Sequence, residues 1–224
     1  MSPVVIPPLF RAEKLACRRG ERLIFQDLDF TLPAGGAVLL LGPNGSGKSS
    51  LLRLLAGLLQ SVAGNLYWDD RVVTADRDAH AARLHYLGHQ DAVKAALTVS
   101  ENLLFWARLH DPRIGLAHVD TALAALGLAP LASLPGRLLS AGQRRRLALA
   151  RLLAAPVPLW LLDEPSVGLD HESVARLEHI IAQHRDAGGV VVLSTHAELA
   201  LPDAQMLRID HFAPKPVDLQ DLWQ

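Results

Sequence analysis

Residues Gly42-Pro43-Asn44-Gly45-Ser46-Gly47-Lys48-Ser49 form a complete G-x-x-x-x-G-K-S run. In such a loop backbone N–H groups converge on nucleotide phosphates, and glycines let the chain turn tightly and approach them without a Cβ in the way. Lys48 supplies a cation for the outer phosphates. The Ser49 hydroxyl can ligate Mg²⁺, with Ser50 beside it at the exit of the loop. A second group follows far downstream, where Leu159-Trp160-Leu161-Leu162 runs into Asp163-Glu164. Buried strands do not end in adjacent carboxylates without a reason, because unpaired buried charge is costly. Beside a phosphate loop, Asp163 reads as a holder of Mg²⁺. Glu164, one position on, reads as a base that poises the attacking water.

Regular elements have to carry these groups. The apolar run Ala37 to Leu41 predicts a strand entering the loop, and Ser50 to Ala56 a helix leaving it. That arrangement aims the positive end of a helix dipole at the anion. Ala12 to Leu32 reads as two strands joined at Arg19-Gly20-Glu21, and Val62 to Val73 as a hairpin around Asp69-Asp70. Thr98-Val99-Ser100-Glu101 matches the S/T-x-x-E capping box and predicts a helix start; Ser140 with Gln143 is another, opening a helix that Pro156 ends. Residues 115–135 read as short helices, Val174 to Arg185 as a longer one, and Val190 to Leu193 as a buried strand after the Gly188-Gly189 turn. Fully apolar strands belong to a parallel sheet covered on both faces. The pattern predicts an α/β fold: a mostly parallel sheet covered by helices, with an antiparallel β part towards the N-terminus. A helical subdomain, about residues 91–155, is inserted in the α/β core. Residues 1–10 are expected to be an extension and 11–224 one domain.

Length and composition fit this frame, since 224 residues suffice for one well-buried core. A net charge of −1 leaves no electrostatic footprint for nucleic acid. Cys17 stands alone, so neither an internal disulfide nor a cysteine metal cluster is available. Pro3, Pro7 and Pro8 break the start of the chain, which has no basic leader segment, and Pro156 and Pro158 interrupt the longest apolar stretch. The expectation is a soluble cytoplasmic chain that reaches a membrane only through a partner. Eight histidines (80, 85, 110, 118, 171, 179, 184 and 211) show no ligand spacing and are expected in solvent, and Arg144-Arg145-Arg146 on a helix surface.

Leu139-Ser140-Ala141-Gly142-Gln143, ahead of a strand ending Asp-Glu, resembles the signature motif of ABC-type ATPases. Other marks of that family fall in order. Gln90 resembles the Q-loop glutamine, Pro165 to Asp170 the segment containing the D-loop, and Ser194-Thr195-His196 the switch histidine. The resemblance implies ATP as substrate, Mg²⁺ as cofactor and Glu164 as general base. His196 would contact the γ-phosphate and the water, and Gln90 would join the Mg²⁺ shell with Ser49 and Asp163. It further implies a head-to-tail dimer with a second copy of the chain. Ser140, Gly142 and Gln143 of one copy would close over ATP held by the other, with Asp170 along the seam.

Family members usually carry an aromatic residue that stacks on adenine where this chain has Arg19. A guanidinium plane can stack on a purine, and an exposed turn arginine is the competing reading; both remain open.

Within the family, Tyr86 to Leu103, Ser140 to Arg151 and Val174 to Leu177 resemble the ATP-binding subunit of the haem-handling complex of cytochrome c maturation. That likeness implies a peripheral chain on the cytoplasmic face of the bacterial inner membrane, with the membrane proteins CcmB, CcmC and CcmD as partners. Val93, Leu97 and Val99 would help grip them. With no C-x-x-C-H site, direct haem binding is not expected. The alternatives are the ATPase of another exporter, for lipid or drug, and a soluble ABC ATPase linked to nucleic acid, which the near-neutral charge disfavours.

Overall fold

A computed structural model describes residues 9–195 and 199–214. In chain order its strands and helices are β1 (Phe10–Arg19), β2 (Arg22–Leu32), β3 (Ala37–Leu41), α1 (Lys48–Leu55), β4 (Ala63–Trp68), β5 (Arg71–Val72), α2 (Arg77–Ala82), β6 (Leu84–Leu87), α3 (Val99–His110), α4 (Leu116–Ala125), α5 (Ala141–Ala154), β7 (Leu159–Asp163), α6 (His171–Asp186), β8 (Val190–Ser194) and β9 (Gln205–Arg208). The strands form two sheets. One is antiparallel in the order β2-β1-β4-β5, and the other runs β6-β7-β8-β3-β9 with every pairing parallel. All five residues of β7 and all five of β8 are buried, as expected of parallel strands covered on both faces.

Helix α1 buries Leu51, Leu52, Leu54 and Leu55. They join Phe10, Leu15, Phe25 and Leu28 of the antiparallel sheet and Leu159, Leu161 and Val192 of the parallel one in a single core cluster. The phosphate loop therefore sits on a helix gripped between two sheets. The hairpin at Asp69-Asp70 is confirmed, and both residues take the left-handed conformation at φ 47° and 60°, as a type I′ turn requires. Phe10 opens β1 and is fully buried, so the folded domain begins at or before a residue assigned from sequence to the extension.

The chain between β6 and β7 carries α3, α4 and α5, whose buried Leu103, Val119, Leu123 and Leu149 form a second core cluster. Both capping boxes form. Thr98 Oγ1 accepts from Glu101 N, and Glu101 Oε2 from Thr98 N at 2.8 Å. Val99 is fully buried within this cluster, which removes it from any partner-facing surface; Phe105, Leu109 and Leu116 are the large apolar side chains exposed on α3 and α4. None of the helices among the described residues is long and apolar enough to cross a membrane.

Two expectations from sequence fail. His80 and His85 are buried rather than solvated. His80 Nε2 lies 2.8 Å from the Leu55 carbonyl and His85 Nε2 2.7 Å from that of Ala155. His184 stacks on Trp160 at 3.8 Å between centroids. A neutral imidazole buries cheaply once a ring nitrogen has a partner. Burial accordingly holds His85 at a pKa of about 3 and His184 at about 4. The second failure is Arg145, which is 5% exposed and lies in the interior beside the candidate site.

Candidate functional site

In the parallel sheet the carboxyl ends of β3, β6, β7 and β8 share one edge, where open α/β folds gather their functional groups. After β3 the chain turns through Gly42, Gly45 and Gly47, all with positive φ. Gly47 (φ 110°) is required twice over, because a Cβ there would stand 2.6 Å from Ile24 Cγ2. It is also the N-cap of α1 and supplies no side-chain cap, so the first N–H groups of the helix remain available to an anion. Lys48 is buried, its ammonium donating to the carbonyls of Gly42 at 2.7 Å and Pro43 at 3.2 Å. Ser46 N donates to Pro43 O at 3.1 Å and closes the turn.

Beside the loop, β7 delivers Asp163. Its Oδ1 accepts from Ser194 Oγ of β8 at 2.7 Å, which leaves the other oxygen turned away. Asp163 Oδ2 is buried and accepts no hydrogen bond among the described residues, although His89 Nε2 lies 3.3 Å from it. His89 Nε2 is also 3.5 Å from Ser49 Oγ. A buried carboxylate oxygen without a donor, next to a serine hydroxyl and a phosphate loop, fits a hard divalent cation that completes its shell with phosphate and water oxygens. Among the described residues no cluster of three or more acidic, histidine or cysteine side chains forms a metal cage, so such a cation would share its ligands with the substrate.

Glu164 follows with a left-handed backbone at φ 50°. For a residue with a Cβ this costs about 1–3 kcal/mol, and such strain gathers at functional sites where the surroundings fix it. Here Glu164 N donates both to Ser194 O and to Ser194 Oγ, each at 3.1 Å. The Glu164 carbonyl accepts from Arg145 Nη2 at 2.7 Å.

These elements enclose a cleft of about 660 Å³, lined by Asn44, Gly45 and Gly47 to Ser50 of the loop and helix with Arg19, His89, Asp163 and Glu164 on its walls. Arg19 is exposed at the β1–β2 turn and faces this cleft. If its guanidinium stacks on the base, Arg19→Ala is expected to weaken ATP binding by about 0.5–2 kcal/mol, with Arg19→Tyr restoring it. Unchanged affinity on titration of a fluorescent ATP analogue would leave it a turn residue.

The other sequence-derived candidates lie elsewhere. Gln90 is exposed and does not line the cleft; its neighbour His89 does. His196 is outside the described residues. Ser140, Gly142 and Gln143 sit at the N-terminus of α5, where Ser140 Oγ accepts from Gln143 N at 3.2 Å and Gln143 Oε1 from Ser140 N at 2.8 Å, away from the cleft lining. Asp170 is the N-cap of α6, accepting from Ser173 N at 2.9 Å, and those bonds from Ser173 hold its carboxyl below the usual range. Reading the sequence missed His89, Ser194 and Arg145. His89 could have been suspected from its place beside Gln90, and Ser194 from the polar end of an apolar strand. A charged residue one turn into a capped helix gives no local sign that it points inward.

The family model described as ABC transporter matches residues 25–167. The cytochrome c biogenesis ATP-binding export protein CcmA of Rhodospirillum rubrum is 60% identical over 210 residues, 94% of this chain and 89% of that protein. The protein of the same name from Paramagnetospirillum magneticum is 61% identical over 207 residues, covering 91% and 95%. Among solved structures, an ATP-binding subunit of an ABC transporter superposes with a TM-score of 0.76 at 22% identity, over 84% of this chain and 79% of that one. An ATP-binding cassette of an ABC transporter in its ADP conformation gives 0.76 at 21%, over 90% and 87%. Identities that low speak for the fold alone. The sequence matches go further: the chain belongs to the ABC transporter family as an ATP-binding, ATP-hydrolysing chain of the group that includes the cytochrome c biogenesis export proteins CcmA.

Proposed function

We propose that this chain is the ATPase subunit of an inner-membrane ABC complex of c-type cytochrome biogenesis, coupling ATP turnover to export of haem or its release on a periplasmic chaperone. The observation that carries the reading is 60% identity to a CcmA protein across 94% of the chain, together with a cleft lined by the phosphate loop, Asp163 and Glu164. In this reading the chain is peripheral, on the cytoplasmic face. It works as a head-to-tail dimer with membrane subunits of the CcmB, CcmC and CcmD kind, and haem itself does not touch it.

The chemistry follows from the side chains. ATP lies with its phosphates over the N-terminus of α1, and Lys48 exchanges its loop carbonyls for the outer phosphates. Ser49 and Asp163 would hold Mg²⁺, with Gln90 joining them if its segment swings inward. When bound, the ion neutralises charge developing on the β- and γ-phosphates. Ser194 keeps Asp163 turned so that Oδ2 faces the cleft. Glu164 takes the proton of a water that attacks the γ-phosphorus. The bond from that phosphorus to the β–γ bridging oxygen breaks, and ADP leaves with the electron pair. His196 would steady the water and the γ-phosphate. In the dimer, Ser140, Gly142 and Gln143 of the partner cover the γ-phosphate of this copy.

Deleting the chain from its own cell tests the physiological part. The expected result is loss of every haem-stained c-type cytochrome in membrane fractions, with b-type cytochromes and haem synthesis untouched. Normal c-type cytochromes in that strain would assign the chain to another exporter.

A further inference from the structure

Arg145 stands one turn into α5, and all five of its N–H donors are used. Nε donates to Pro165 O at 3.1 Å, Nη2 to Asp163 O at 2.9 Å and to Glu164 O at 2.7 Å. Nη1 donates to Gly88 O at 3.0 Å and to Asp91 Oδ1 at 3.1 Å. The carbonyls of Asp163, Glu164 and Pro165 are consecutive and lie where β7 ends; that of Glu164 also accepts from Val167 N at 3.3 Å. A buried carbonyl left without a donor is costly, and one side chain from another element serves all three. The other edge of the same guanidinium holds both ends of the segment Gly88–Asp91, which carries His89 into the cleft and Gln90 beside it.

We propose that Arg145 is a positioning residue for ATP hydrolysis: it fixes the left-handed backbone of Glu164 and ties it to the signature helix and the 88–91 segment. Glu164 cannot relax to ordinary φ without breaking the bonds to Nη2, and α5 cannot shift without pulling on the carbonyls of Asp163, Glu164 and Pro165. The direction of the base thus depends on where the helical insert sits. Arg145 touches neither nucleotide nor water. It acts through Glu164 and Asp163.

Lysine keeps the positive charge but offers three donors from one point, so it cannot span two edges in a plane. Arg145→Lys is therefore expected to lower kcat by roughly ten- to hundredfold, as a displaced catalytic group does. The dissociation constant for a fluorescent ATP analogue should stay within about threefold of the parent value, since the phosphate loop is not disturbed. Asp91→Asn keeps an acceptor without its charge and should lower kcat by about two- to fivefold. Added to Arg145→Lys, it should cost nothing further, because both act through one network. Turnover is measured on the full-length chain at a concentration where rate per chain no longer rises. Unchanged kcat in Arg145→Lys, or kcat and affinity falling by the same factor together with the melting temperature, would overturn the proposal. Should Arg145→Lys not fold, Asp91→Asn decides alone, and parental kcat there overturns it. The inference rests on Glu164 as the base. If Glu164→Gln retains turnover, that assignment fails first; if Glu164→Gln is inactive and Arg145→Lys is not impaired, only the positioning role falls.

Discussion

Glu164→Gln is expected to bind ATP about as tightly as the parent chain while losing roughly two to four powers of ten in turnover, the range associated with removing a general base. The amide is nearly isosteric and keeps the backbone that Ser194 and Arg145 fix, so the loss is chemical rather than structural. If the chain works as the proposed head-to-tail dimer, blocked hydrolysis leaves ATP between two copies, and a dimer should accumulate on gel filtration in ATP and Mg²⁺ but not in ADP. Parental rates of phosphate release in this variant would move the base to another residue.

Lys48→Ala should act one step earlier. In the proposed reading the ammonium pairs with the outer phosphates, and a charge-assisted hydrogen bond contributes about 1.5–3 kcal/mol. ATP affinity should therefore fall by roughly tenfold to over a hundredfold, and turnover with it. The fold should survive, since Lys48 itself bonds only to the carbonyls of Gly42 and Pro43 and the core beneath is formed by Leu51, Leu52 and Leu55. Calorimetric titration with ATP, alongside a melting curve close to that of the parent chain, checks both halves. In the cell the variant should behave as the deletion does. Normal c-type cytochromes there would leave the ATPase assignment standing and move the export role elsewhere.

Most of the frame was legible in sequence because it is written locally. The glycines of the phosphate loop, the two capping boxes and the apolar runs of β7 and β8 each act within a few residues of themselves, and each element appears where its pattern puts it. What could not be read depends on tertiary neighbours. His85 lies in the short apolar strand Leu84–Leu87, yet its polar ring suggested solvent; only the carbonyl of Ala155, 70 residues on, makes its burial affordable. Arg145 sits between two arginines that are partly exposed, and three arginines in a row look alike until the carbonyls of Asp163 to Pro165 arrive from another element. Gln90 shows the same limit in reverse. Its motif lies beside the cleft, but of the two adjacent side chains it is His89 that lines it, and Arg145 bonds to residues 88 and 91 on either side.

The five bonds of Arg145 also bear on how the chain becomes an enzyme during folding. They join residues 18 to 57 positions apart in sequence, and none can form until both the parallel sheet and the helical insert have docked. Contacts of such long separation come late, because loop closure must precede them. The phosphate loop needs pairings of still longer separation, since β3 lies between β8 and β9 and α1 packs on β7 and β8. Neither half of the site is therefore expected to be complete before the parallel sheet closes, and the backbone of the base waits on the helical insert as well.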